Sequence, residues 1–181
     1  MTCIVGYKTK TNVIIGADSL GSNAYSKTVR KDVKVFKKKD FVIGFTSSYR
    51  MGQILQYSFN IPEYNPKVQE LHEYLCSSFI KELRSIFKEN GWLLSKDGID
   101  QGGTFLVGYK NRLFSIQDDF NVEESYDRFT SCGSGEEFAL GALMVLETNK
   151  SISPKDKVRT ALKVASHFSP YVSAPFTILE T

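Results

Sequence analysis

The sequence predicts an α+β fold, a four-layer α-β-β-α sandwich of two mainly antiparallel sheets. Two observations predict it. Strand-like and helix-like segments are grouped in the order strands, two helices, strands, two helices, strand, which suits two sheets face to face with helices outside. The runs "VIIGA" and "FVIGF" are apolar at consecutive positions, the pattern of strands covered on both faces rather than half in water. At 181 residues the chain suits one domain, 1–181, with a sizeable core.

Taken in order, "CIVGYK" and "NVIIGAD" are β-rich runs separated by a short polar turn, and "DVKVF" and "FVIGF" form a second pair around "KKKD". "SYRMGQILQYSF" is a short helix. The strongest helical pattern is "NPKVQELHEYLCSSFIKELRSIFKENG". There Val68, Leu71, Leu75, Phe79, Leu83 and Ile86 recur at three- and four-residue spacing and form one apolar stripe. Asn65-Pro66 reads as its cap and first turn, and Gly91 as its stop. Strands return in "GGTFLVGYK", "RLFSIQDD" and "RFTSCGS". Two helices follow, "GEEFALGALMVLE" and "SPKDKVRTALKVASHF", the second with Ser153 as N-cap, Pro154 in the first turn and Asp156 near the positive end of the dipole. "PFTILE" closes the chain as a strand.

Composition narrows the function classes. The chain is 41% apolar and 24% charged, an ordinary globular balance. No run approaches the ~18 apolar residues of a membrane span, and no signal-peptide pattern precedes the first strand. A cytoplasmic protein with no membrane partner is expected. Cys3, Cys76 and Cys132 are odd in number and scattered, which argues against a disulfide framework. The net charge of +3 gathers lysines in "RKDVKVFKKKD", which a hairpin turn explains; without a reading motif, no nucleic-acid partner is expected.

The first hairpin carries the chemistry. Folding it at Lys10 sets residues whose numbers sum to about 20 opposite one another, so Thr2 lies across from Asp18, give or take one position. In the next strand pair Val33 and Val35 share one face and Lys34 takes the other. A lysine alternating with valines on a buried strand needs a partner, and Asp18 is the candidate. A threonine hydroxyl is a weak nucleophile without a base. With Met1 removed, the α-amino group of Thr2 lies a few bonds from its own hydroxyl. Its reference pKa near 8 leaves a useful neutral fraction at pH 7, able to take the hydroxyl proton directly or through one water. Lys34 lowers the pKa of nearby acids and amines by its charge, and Asp18 orients and balances Lys34.

These residues resemble the N-terminal-nucleophile hydrolases of the proteasome β-subunit and HslV type. "T-C-I-V-G", "GADS", "VKVF" and "CGSGEEFALGAL" match that family's motifs, with Thr2, Asp18 and Lys34 at its spacing. The likeness runs from residue 2 to the C-terminus, in outline only through the middle helices. It implies threonine peptidase activity on peptides or unfolded proteins, a homo-oligomeric ring, an ATPase unfoldase as partner, and no cofactor; no metal site is assigned. It implies further that Ser134 lies near the nucleophile and that backbone N–H groups near Ser47 and Ser48 hold the oxyanion. Two positions depart from the family pattern. Ser48 stands where a glycine is usual, which suits a backbone donor only if its dihedrals accept a side chain. His167 stands where the last helix usually carries an aspartate beside the site.

Plainer readings stand beside these. Asp18 and Lys34 make sense as a structural pair, and Ser134 as a helix cap. Cys3 is a nucleophile only if two residues are trimmed. His72 and Cys76 have helical i,i+4 spacing that suits a metal, with no third ligand evident. The "GSG" loop before a helix suits a phosphate, but no P-loop Lys-Ser/Thr follows it. Two other functions fit the same residues: a catalytically silent ring subunit and a small-molecule amidohydrolase of the same superfamily.

Overall fold

The computed structural model describes residues 1–23 and 25–181. The first strands are β1 (Ile4–Lys8), β2 (Val13–Ala17), β3 (Leu20–Ser22), β4 (Lys27–Val29), β5 (Val35–Lys38) and β6 (Phe41–Phe45). The helices α1 (Tyr49–Gln53) and α2 (Leu71–Tyr74) each run on into a π-helical stretch, Ile54–Ser58 and Leu75–Phe79 respectively, and the second leads directly into α3 (Ile80–Glu89). Next come β7 (Leu94–Lys96), β8 (Ile99–Gln101), β9 (Phe105–Tyr109), β10 (Arg112–Ile116), β11 (Val122–Glu124) and β12 (Phe129–Cys132). Helices α4 (Glu136–Glu147) and α5 (Pro154–Phe168) and strand β13 (Thr177–Glu180) complete the chain.

Two antiparallel sheets face each other, one in the order β12, β1, β2, β13 and the other β11, β10, β9, β6, β5. The period of two explains the unbroken apolar runs. From β2, Val13, Ile15 and Ala17 meet Val35, Val42, Leu106 and Leu113 between the sheets. Ile14, on the opposite face, packs with Val158 and Leu162 of α5. From β6, Phe41, Ile43 and Phe45 face Leu75, Phe79 and Leu83 of the other helical layer, while Val42 turns to the inter-sheet core. Three apolar interfaces therefore separate four layers, as the sequence predicts.

Several expectations need correction. The long helix does not begin at Asn65-Pro66. Asn65 closes a single turn, its carbonyl accepting from Val68 and Gln69 N–H, and Glu70 then caps α2 through its carboxylate, which accepts from His72 N at 2.6 Å and Glu73 N at 3.3 Å. Val68 lies outside the helix, 77% exposed, and leaves the apolar stripe. The strand expected over "DVKVF" starts only at Val35, although Lys34 continues the pairing by accepting from Phe45 N at 2.9 Å. The short hairpins β3–β4 and β7–β8 are largely exposed or half-buried, Leu20 apart, and no alternation marks them. The start of α5 holds as read, with Ser153 Oγ accepting from Asp156 N and Pro154 in the first turn.

The two readings of the long helix separate by mutation. Leu83, fully buried, costs about 2–5 kcal/mol when cut to alanine. Val68→Ala costs about 0.5 kcal/mol or less. Urea denaturation at fixed protein concentration measures both, and a Val68→Ala loss matching that of Leu83→Ala would put Val68 back in the stripe.

Candidate active site

The register of β1 on β2 pairs Ile4 with Ala17, so Cys3 lies opposite Asp18 and Thr2 opposite Ser19, one step from the central estimate. Asp18 reaches Thr2's neighbourhood through backbone: Cys3 N donates to Asp18 Oδ1 at 3.0 Å. The other oxygen, Oδ2, accepts from Leu20 N at 2.9 Å and Ser173 N at 3.4 Å. Lys34 Nζ donates to Asp18 Oδ1 at 2.8 Å and to the Leu20 carbonyl at 2.7 Å. Both members of this ion pair are about 1% exposed. Burial holds the Lys34 ammonium below its ordinary pKa, and Asp18 opposes that shift.

Thr2 is buried beside this pair. Its N–H donates to Ser134 Oγ at 3.0 Å, and Ser134 Oγ donates back to the Thr2 carbonyl at 3.2 Å. Gly135 N also donates to that carbonyl. The "GSG" loop can come this close because Gly133 has φ +99° and no side chain; a Cβ there would stand 2.4 Å from the Thr2 carbonyl oxygen. The Thr2 hydroxyl donates to the Met1 carbonyl at 2.5 Å, and Lys34 Nζ points to the same oxygen at 3.4 Å. Burial, and then the charge of Lys34, lower the pKa of the Met1 amine.

Two cavities of about 440 and 520 Å³ flank this point, and Met1, Thr46 and Ser47 line both. The residue with glycine-like backbone is Ser47, at φ +63°, a conformation uncommon for a side chain. Its hydroxyl accepts from Thr104 N at 3.1 Å, fixing the loop. Ser48 is extended, with φ −146°, and caps α1. Its N–H donates to the Thr46 carbonyl at 2.7 Å. Ser48 therefore accommodates its side chain but spends its donor inside the turn, whereas Ser47 N–H finds no acceptor among the described residues. Of the two, Ser47 is the candidate anion donor.

Other expected positions fall away. His167 is exposed at the end of α5, its ring edge-on to Phe168, and lines neither cavity. The buried face of α5 is formed by Val158, Ala161, Leu162 and Ala165, and His167, two residues past Ala165, lies off it. Cys3 is fully buried and its thiol is pushed up to about 12 by burial, the wrong direction for a nucleophile. Cys76 Sγ lies 3.7 Å from His72 Nδ1 on the outer helical layer, and no group of three potential metal ligands exists among the described residues. Sequence reasoning missed Ser173 and the Leu20 carbonyl, which act through backbone atoms and leave no side-chain signature. It also missed Arg30 and Tyr49 of the first cavity.

No family model matches the chain. It is 23% identical over 182 residues to the "ATP-dependent protease subunit HslV" of Aquifex aeolicus, covering 99% of this chain and 97% of that one. Among solved structures, "Thiobacillus denitrificans BPH in complex with Epoxomicin" superposes with a TM-score of 0.83 at 19% identity, over 99% of this chain and 97% of that one. The fold is that of HslV. The eukaryotic HslV from Trypanosoma brucei likewise superposes with a TM-score of 0.69 at 17% identity, covering 98% of each chain. The HslV-like character thus extends over the whole chain in sequence and in fold, and the four-layer expectation holds.

The Asp18–Lys34 pair sets a stability test. Asp18→Asn leaves Lys34 charged and buried without its counter-ion, which costs about 3–5 kcal/mol. The double variant Asp18→Asn/Lys34→Met removes the stranded charge and recovers more than half of that loss. Chemical denaturation of both variants checks this; a double variant no more stable than the single one would show that the pair is not the cause.

Proposed function

We propose that the chain is a threonine peptidase subunit of an HslV-like ring assembly. On this reading Met1 is removed, and Thr2 becomes the N-terminal nucleophile. The observation that carries it is the placement of Thr2, its nitrogen held by Ser134 and its hydroxyl beside the Lys34–Asp18 pair.

The Thr2 amine takes the proton of its own hydroxyl, and Oγ1 attacks the peptide carbonyl carbon. Charge gathers on the former carbonyl oxygen, which Ser47 N–H stabilises; one such donor is worth about 100- to 1000-fold in rate. The C–N bond then breaks, the amine returns its proton to the leaving nitrogen, and an ester joins the acyl group to Thr2. Water, deprotonated by the same amine, hydrolyses that ester. Lys34 keeps the amine pKa down, Asp18 holds Lys34, and Ser134 orients the amine. Peptides or unfolded proteins are the substrates, and a cytoplasmic homo-oligomeric ring served by an ATPase unfoldase is the setting. The Aquifex relative's name, an ATP-dependent subunit, supports that partner.

While Met1 remains, the Thr2 nitrogen is an amide and cannot act as base. The first test is the intact mass of the purified protein, where loss of one methionine is expected. Thr2→Ala then abolishes hydrolysis of fluorogenic peptides and labelling by a peptide epoxyketone, with assembly intact, while Thr2→Ser retains measurable turnover. Turnover that survives in Thr2→Ala would overturn the mechanism.

The pH profile follows from the base. The neutral amine is the active form, so kcat/KM falls with acidification through a pKa at or below the ordinary α-amino value of about 8. Lys34→Met moves that limb to higher pH as well as slowing turnover. A limb that stays in place in this variant would remove Lys34 from the tuning of the amine.

A further inference from the structure

The two cavities beside Thr2 differ in charge. Among the described residues the first is lined by the side chains of Arg30 and Lys34 and by no carboxylate. The second is lined by the side chains of Glu123 and Glu136 and by no lysine or arginine among the described residues. Their polarity gives a peptide substrate a preferred side chain.

Which part of a substrate enters which cavity follows from the proton path. The leaving nitrogen must receive its proton from the Thr2 amine, so the leaving half lies on the amine's side. Ser134, which binds the Thr2 nitrogen, lines the second cavity and not the first. The acyl half therefore projects its side chain toward the first cavity, past Phe45 and Tyr49.

In that cavity Lys34 is almost fully buried and, with Met1 removed, still commits protons to Asp18 and the Leu20 carbonyl. Arg30 has a nitrogen to spare. Its Nε and Nη2 donate to the two oxygens of Asp32 at 2.8 and 2.7 Å, which leaves Nη1 without an acceptor among the described residues. The guanidinium carbon stands 3.7 Å from the Tyr49 ring centroid, so stacking fixes its plane. Ser22 and Thr28 line the same space. A guanidinium held in plane by stacking, with Nη1 left to donate, is suited to a carboxylate. The opposite cavity adds discrimination: it carries Glu123 and Glu136, and burial, then the charges of Glu137 and Glu123, raise the Glu136 carboxyl above its ordinary pKa. An acidic residue is disfavoured on that side.

We propose that Arg30 is the specificity-determining residue of the first cavity and selects an acidic side chain on the residue whose carbonyl Thr2 attacks. This rests on the peptidase reading above. The test uses the Met1-free assembled protein and fluorogenic peptides that differ only at that residue, as Glu, Gln, Leu or Lys. The Glu peptide is cleaved with kcat/KM at least about tenfold above the Lys peptide, and also above the Gln and Leu peptides. Arg30→Met removes the preference for Glu over Gln, and Arg30→Glu reverses the preference between Glu and Lys. Because Arg30 is partly exposed, added salt narrows the wild-type ratio.

Cleavage with the Glu:Gln ratio unchanged in Arg30→Met, or with Leu preferred throughout, overturns the assignment and leaves the peptidase reading standing. If no peptide is cleaved, inactivation rates of epoxyketones bearing Glu or Leu at that residue make the same comparison. If neither cleavage nor labelling of Thr2 occurs, both readings fall together.

Discussion

The site depends on one buried ion pair. Two opposite charges taken out of water cost several kcal/mol each, and mutual attraction offsets that cost only when geometry and further hydrogen bonds are good. Asp18 meets that demand by using both oxygens. It accepts from Lys34 Nζ and from the backbone N–H groups of Cys3, Leu20 and Ser173. One carboxylate therefore ties together the residue before β1, the start of β3 and the loop before β13. Moving it displaces three backbone segments and the ammonium at once, so the pair is also what fixes the position of Thr2's neighbours.

That arrangement explains why the candidate site was partly legible in the sequence. Thr2, Asp18 and Lys34 were readable because hairpin register and strand alternation are local rules with a period of two, and a lysine among valines stands out. The fold was readable for the same reason, since consecutive apolar residues in β2 and β6 require cover on both faces. Ser173 was invisible because only its backbone N–H is used. Arg30 was invisible because β3 and β4 are three-residue strands without alternation, and the likeness of a charged loop residue to any other gives no hint of which cavity it lines.

The failed expectations are small displacements with separate causes. Asn65-Pro66 has the right residue types for a helix start, yet Glu70 supplies a competing cap five residues on and ends the turn before it can propagate. Counting alone put Ser48 at the glycine-like position, but the left-handed residue is its neighbour Ser47. His167 has the right sequence position, but the helix delivers it to solvent. In each case residue type was read correctly and a one-residue or one-turn offset decided the outcome. The Ser47 offset is held by a bond between distant segments, Thr104 N to Ser47 Oγ, which local sequence does not encode, whereas Glu70 acts on its own helix.

The geometry around Met1 bears on how such a site is switched on. Thr2 N is already directed at Ser134, Asp18 already holds Lys34, and Gly133 already admits the loop to the Thr2 carbonyl. The Met1 carbonyl occupies the space that Lys34 and the Thr2 hydroxyl share. Losing Met1 changes the Thr2 nitrogen from a non-basic amide to an amine and frees that space, while the contacts that position it stay in place. On the proposed reading activation is therefore a covalent change at one nitrogen rather than a rearrangement of the fold. The electrostatic cost of burying Lys34 is met when the chain folds and need not be met again during turnover.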